Sequence, residues 1–164
     1  MRLPSSWIVL ERIGFPDRAH LELLASLHDQ ARVPMCFVGD LDPLDLSTFL
    51  AMRALAHDFV DRRPALPLSW VGIADPWIRL CRRWLEAGRS LPLLPMVPLE
   101  REHWNVLRRV APELPATLGP ASAHILDSGQ KLDIAGAAGG FYRRAFPIHL
   151  FEHLKRAVHR APGE

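Results

Sequence analysis

The feature that most constrains this chain is a short, wholly apolar run that stops on an acidic turn and passes straight into helix-forming sequence. Val33-Pro34-Met35-Cys36-Phe37-Val38 carries no charge and no polar alternation, and Gly39-Asp40-Leu41-Asp42-Pro43 follows it directly. A strand that is apolar on both faces belongs in a parallel sheet covered by helices. The arrangement recurs where Leu68-Ser69-Trp70-Val71-Gly72-Ile73 ends on Ala74-Asp75-Pro76. Residues 46–59, with Phe49, Leu50, Met52 and Leu55, and residues 77–87 then read as the helices that follow each strand.

The same alternation extends toward the N-terminus. Trp7-Ile8-Val9-Leu10, bounded by Ser5-Ser6 and Gly14, reads as a buried strand. Pro16-Asp17 opens a helix, because proline is tolerated in the first turn and an acid favours the helix N-terminus. Leu21, Leu24 and Leu27 recur along it at helical spacing. The succession β-α-β-α-β-α predicts an α/β fold with a mostly parallel sheet, formed as one domain over residues 1–164. Beyond residue 89 the texture changes. Prolines at 92, 95 and 98 are too many for a central strand, and residues 100–110 read as a helix. Residues 112–119 read as a loop, 136–140 as a glycine-rich break and 148–158 as an amphipathic helix.

Composition narrows the class. Apolar residues at 49% against 23% charged are the balance of a globular chain. No apolar run approaches the roughly 18 residues of a membrane helix, and the start shows no secretion signal, so a cytoplasmic protein without a membrane partner is expected. Cys36 and Cys81 sit in apolar segments without a C-x-x-C partner and are expected to be buried, reduced thiols. A net charge of +2 excludes a strong overall nucleic-acid field, but its distribution is uneven: residues 1–60 carry −3 and residues 61–164 carry +5. The acidic turn lies in the negative part.

In an open parallel sheet, ligands bind beyond the carboxyl ends of the strands. Asp40 and Asp42 stand there, and two carboxylates one residue apart can converge on a hard cation such as Mg²⁺. The plain alternative is that Asp40 caps the following helix and Asp42 is a solvated turn residue. Glu11, at the end of the first strand, shares that edge and is a candidate third carboxylate. Asp75 is a candidate ligand or, more simply, a helix cap. His149 and His153 are four apart on the last helix, and no H-E-x-x-H pattern or nucleophile signature accompanies them. Trp70, Trp77 and Trp84, seven apart, are expected in the core.

These residues resemble a family. Gly14-Phe15-Pro16-Asp17, a helix, Val33-Pro34 and a strand ending in Asp40-Leu41-Asp42-Pro43 resemble the Toprim domain of the topoisomerase VI A subunit and its meiotic DNA-break relatives, which show G-[YF]-P-D and then D-x-D-P-x-G. The likeness continues at Trp70-Val71-Gly72, at Met96-Val97-Pro98-Leu99-Glu100-Arg101 and at Gln130-Lys131-Leu132-Asp133-Ile134, similar to the family's W-L-G and K-x-E-I stretches. It spans most of residues 8–150. The resemblance implies a Toprim-like, Rossmann-like fold that binds Mg²⁺ (or Mn²⁺) near DNA, with Asp40 and Asp42 as metal ligands and catalytic residues. The family's metal-site glutamate lies on a strand upstream of G-[YF]-P-D, so Glu11 stands as its substitute. Leu44-Asp45 replaces the family's glycine, and no stretch of residues 1–164 resembles the winged-helix domain with its nucleophilic tyrosine. Tyr142 is the only tyrosine. Three functions follow: a metal-dependent nuclease or topoisomerase-type module working on DNA or RNA with a protein partner that supplies the missing elements; a degenerate interaction module; and an unrelated phosphotransfer enzyme.

Overall fold

The computed structural model describes residues 15–31, 35–58, 68–84 and 91–134. Helix α1, Arg18–Ala31, opens after Asp17, whose carboxylate accepts the His20 N–H at 2.9 Å. Leu21 and Ala25 turn its buried face inward. Strand β1, Met35–Phe37, pairs in parallel with β2, Leu68–Trp70, in the register Met35↔Leu68, Cys36↔Ser69 and Phe37↔Trp70. Helix α2, Pro43–Asp58, connects them, which makes a βαβ unit. Phe37 stacks on Trp70 at 5.5 Å between ring centroids, and Phe49 of α2 meets both rings at 5.8 and 5.4 Å. That aromatic knot fixes α2 on the sheet.

The pairing continues past both strands, because Val71 N–H donates to Phe37 O and Ile73 N–H to Gly39 O. Here glycine is required. A Cβ on Gly72 would stand 2.2 Å from Gly39 O, so the two chains approach this closely only without a side chain. Both chains then leave the sheet through their Asp-Pro turns, and α3, Asp75–Trp84, follows the second.

The remaining elements close the core from the other side. Strand β3, Leu94–Pro95, pairs antiparallel with β4, Gln130–Lys131. Between them lie α4 (Pro98–Val110), α5 (Leu114–Leu118) and α6 (Pro120–Asp127). Trp77 and Ile78 of α3, Trp104 of α4, Leu118 of α5 and Leu126 of α6 form one apolar cluster with Leu41. Fully burying one such side chain stabilises the fold by about 1.5–3 kcal/mol.

In broad terms the architecture is α/β, as expected; among the described residues the parallel sheet has two strands, and the other strand pair is antiparallel. Two expectations change in detail. Residues 112–119, read as a loop, contain helix α5, and α6 and β4 were not foreseen. Helix α2 starts at Pro43 rather than residue 46. The prolines at 92, 95 and 98 were expected to bar a central strand, and Pro95 lies only in a two-residue edge pairing. Trp77 is buried, while Trp70 is only half-buried. Cys81 is buried and its thiol is pushed up to about 12 by burial; Cys36 is half-buried. The expected strand at 7–10, Glu11, Tyr142, and the segment with His149 and His153 lie outside the described residues. No described helix is long and apolar enough to cross a membrane.

Candidate functional site

A single backbone pairing organises the acidic turn. Leu41 N–H donates to Leu132 O at 2.9 Å and Leu132 N–H donates to Leu41 O at 3.1 Å, an antiparallel bridge between residues far apart in sequence. Both leucines are 0% exposed, so both side chains enter the core. Successive residues of an extended chain point to opposite faces, which sends Asp40, Asp42, Lys131 and Asp133 to the other side, where all four are half-buried. Antiparallel register sets Asp42 across from Lys131 and Asp40 across from Asp133. One cross-strand pair is attractive and the other repulsive.

The hydrogen bonds show how each carboxylate is held. Asp42 Oδ1 accepts the Asp45 N–H at 2.9 Å, the N-cap bond of α2 with Pro43 in its first position. Asp45 Oδ2 in turn accepts the Asp40 N–H at 2.7 Å. Asp40 Oδ1 accepts the Ile134 N–H at 2.8 Å. The plain alternative drawn from the sequence is met in part: the turn does supply the helix cap, but from Asp42, while Asp40 is no solvated turn residue and ties the turn to the chain after β4.

These bonds do not settle the charges. Burial pushes the Asp40 carboxyl up to about 6; the Ile134 N–H opposes this, while Asp133, Asp45 and Asp42 add to it. Asp42 is also raised, first by burial, with the Asp45 N–H and Lys131 acting against the shift and the Asp45 charge reinforcing it. The Lys131 charge acts on Asp42, and its ammonium bonds Glu100 Oε1 at 2.5 Å. Like charges gathered in a half-buried site favour protonation or a bound cation.

Asp75 contrasts with this. It is 5% exposed and accepts the Ser122 N–H at 2.7 Å, the Ser122 hydroxyl at 3.0 Å and the Ala121 N–H at 3.2 Å. Burial raises its pKa, but these bonds and the Arg79 charge outweigh burial, and the net shift is downward. Asp75 is thus a helix cap, though of α6 and not of the helix it begins. Gly119, with φ +93°, lets the chain pass; a Cβ there would stand 2.4 Å from Asp75 Cγ.

The donor set matches a hard cation in part. Asp40 Oδ1 accepts the Ile134 N–H, and the Asp42 carboxylate accepts the Asp45 N–H with a further contribution from the Leu44 N–H. Mg²⁺ keeps several waters and is commonly held by one or two carboxylates. Among the described residues, however, no three His, Cys, Asp or Glu side chains are grouped to hold a metal ion. Asp45, Glu100, Lys131 and Asp133 were not singled out as site residues in the sequence. Asp45 carried a signal, since an acid three residues after Asp42 is the pattern of a capped helix start. Arg79 and Arg82 of α3 and Arg101, Arg108 and Arg109 of α4 are exposed, and Arg108 is paired with Asp127 at 2.9 Å. Compared with known proteins, the chain matches no family model, no curated protein and no solved structure.

Proposed function

We propose that this is a Toprim-like domain that binds Mg²⁺ through Asp40 and Asp42 and takes part in DNA phosphodiester transactions beside a partner protein. The observation that carries the reading is the acidic face itself: Asp40 and Asp42 lie on one side of the Leu41–Leu132 bridge, at the carboxyl end of a parallel strand, with their mutual repulsion only partly offset. Glu11 remains the candidate third carboxylate. A cation held there supplies electrostatic stabilisation of charge on a phosphoryl oxygen. The chain's own contribution is to orient the two carboxylates: Asp42 through the α2 cap, Asp40 through Ile134 N–H. Exposed arginines of α3 and α4 are the candidates for backbone phosphates. The test is metal-dependent nicking of supercoiled plasmid, with the activity lost in Asp42→Asn.

A second reading is a degenerate Toprim-like module that acts as an interaction or regulatory subunit. It is favoured by the structural use of both aspartates and by the lack of a three-ligand group among the described residues. It predicts no cleavage with or without metal, and a stable protein complex that Asp42→Asn leaves intact.

A further inference from the structure

Lys131 and Glu100 form an ion pair at the border of the acidic face, their side chains 23% and 25% exposed. Glu100 Oε2 also accepts the Val97 N–H at 2.9 Å, so this carboxylate is anchored to the first turn of α4. Lys131 is fixed through its backbone by the Leu94↔Lys131 pairing, and its neighbour Leu132 pairs with Leu41. The ammonium therefore sits on Glu100, carried by a residue that stands across the register from Asp42. It is hydrogen-bonded to Glu100 and acts on Asp42 and Asp133 through space. Of the twenty basic residues only two are lysines, and one of them is placed here. A compact ammonium on a flexible stem can turn onto either carboxylate, whereas a planar guanidinium tends to bind in two-pronged fashion.

We infer that Glu100 is a positioning residue for the cation site: by binding the Lys131 ammonium it keeps that charge off Asp42 and leaves the Asp40–Asp42 face open to a divalent cation. This rests on the cation reading above. If Glu100 is removed, the carboxylates left to Lys131 are Asp42 and Asp133, and an ammonium seated on Asp42 competes directly with Mg²⁺.

A double-variant cycle on the full chain, read by calorimetric titration with MgCl₂, tests the idea. Glu100→Gln keeps an amide oxygen for the Val97 N–H, and Lys131→Met keeps the unbranched stem. Lys131→Met is expected to tighten Mg²⁺ binding by about three- to ten-fold, and Glu100→Gln to weaken it by a similar factor. In the Lys131→Met background, Glu100→Gln should change binding by less than about two-fold, because no ammonium remains to be held away. An equal effect in both backgrounds overturns the inference, since Glu100 then acts by its own charge alone. Absence of Mg²⁺ binding in the unaltered protein removes the cation reading and the inference together. Lys131→Gln replaces Lys131→Met if the latter loses its native circular dichroism.

Discussion

Both strands of the parallel pair run into an Asp-Pro turn, yet the carboxylates there meet different surroundings. Asp75 is almost fully buried and receives three hydrogen bonds from α6, so its charged form is favoured. Asp40 and Asp42 are half-buried beside Asp45 and Asp133, their backbone donors do not outweigh burial, and their charged forms are disfavoured. The difference comes from what packs against each turn. Asp75 faces a helix N-terminus with three donors; the Asp40–Asp42 turn faces an extended segment that brings a second acid. The first turn is a structural joint, and the second is a place where charge is stored.

The contrast can be broken at its strong end first. Asp75→Ala leaves the Ala121 and Ser122 donors without their acceptor and should destabilise the protein by about 3 kcal/mol, measured by urea unfolding. Gly119→Ala places a side chain at a positive φ against Asp75 and should cost about 2–3 kcal/mol. Asp40→Asn should act in the opposite direction. Asparagine keeps the acceptor for Ile134 N–H and removes one charge from the cluster. Moving a carboxyl from 3.8 to about 6 corresponds to about 3 kcal/mol, and partial exposure to solvent reduces that to about 1–2 kcal/mol of stabilisation at pH 8 without metal.

The pH dependence sharpens the comparison. The raised Asp40 value means the folded state holds its proton more tightly than the unfolded chain, so its penalty is absent below about 3.8 and complete above about 6. The Asp40 contribution should therefore make stability fall as pH rises between those values, and Asp40→Asn should flatten that slope. The lowered Asp75 value gives the reverse sign: its contribution is present above 3.8 and is lost as pH falls below it. A slope unchanged in Asp40→Asn would show that the turn stores no charge.

The parallel pair and its two turns were legible in the sequence because they are local: apolar runs, Asp-Pro punctuation and helical spacing lie within about forty residues. The site's second half was not. Leu41 meets Leu132 across the chain; the resemblance marks residues 130–134 as a motif, but its residues alone do not say that Lys131 and Asp133 stand across from Asp42 and Asp40. Residues 112–119 were misread because their prolines look like breakers. Pro115 and Pro120 instead stand in the first turns of α5 and α6, where a missing N–H costs nothing. Pro43 and Pro98 do the same for α2 and α4. Among the described residues a proline more often starts a helix than ends one.

The most direct measurement is thermal unfolding at pH 8 of the unaltered protein and of Asp40→Asn/Asp42→Asn, each with and without 5 mM MgCl₂ (about a saturating level for a sub-millimolar site). Both asparagines retain the backbone bonds of the turn, so only charge is changed. The account predicts that the variant melts higher than the unaltered protein without metal, and that Mg²⁺ raises the melting temperature of the unaltered protein alone. A variant that melts lower, together with an unaltered protein indifferent to Mg²⁺, would show that the acidic turn is a joint like Asp75 and not a cation site.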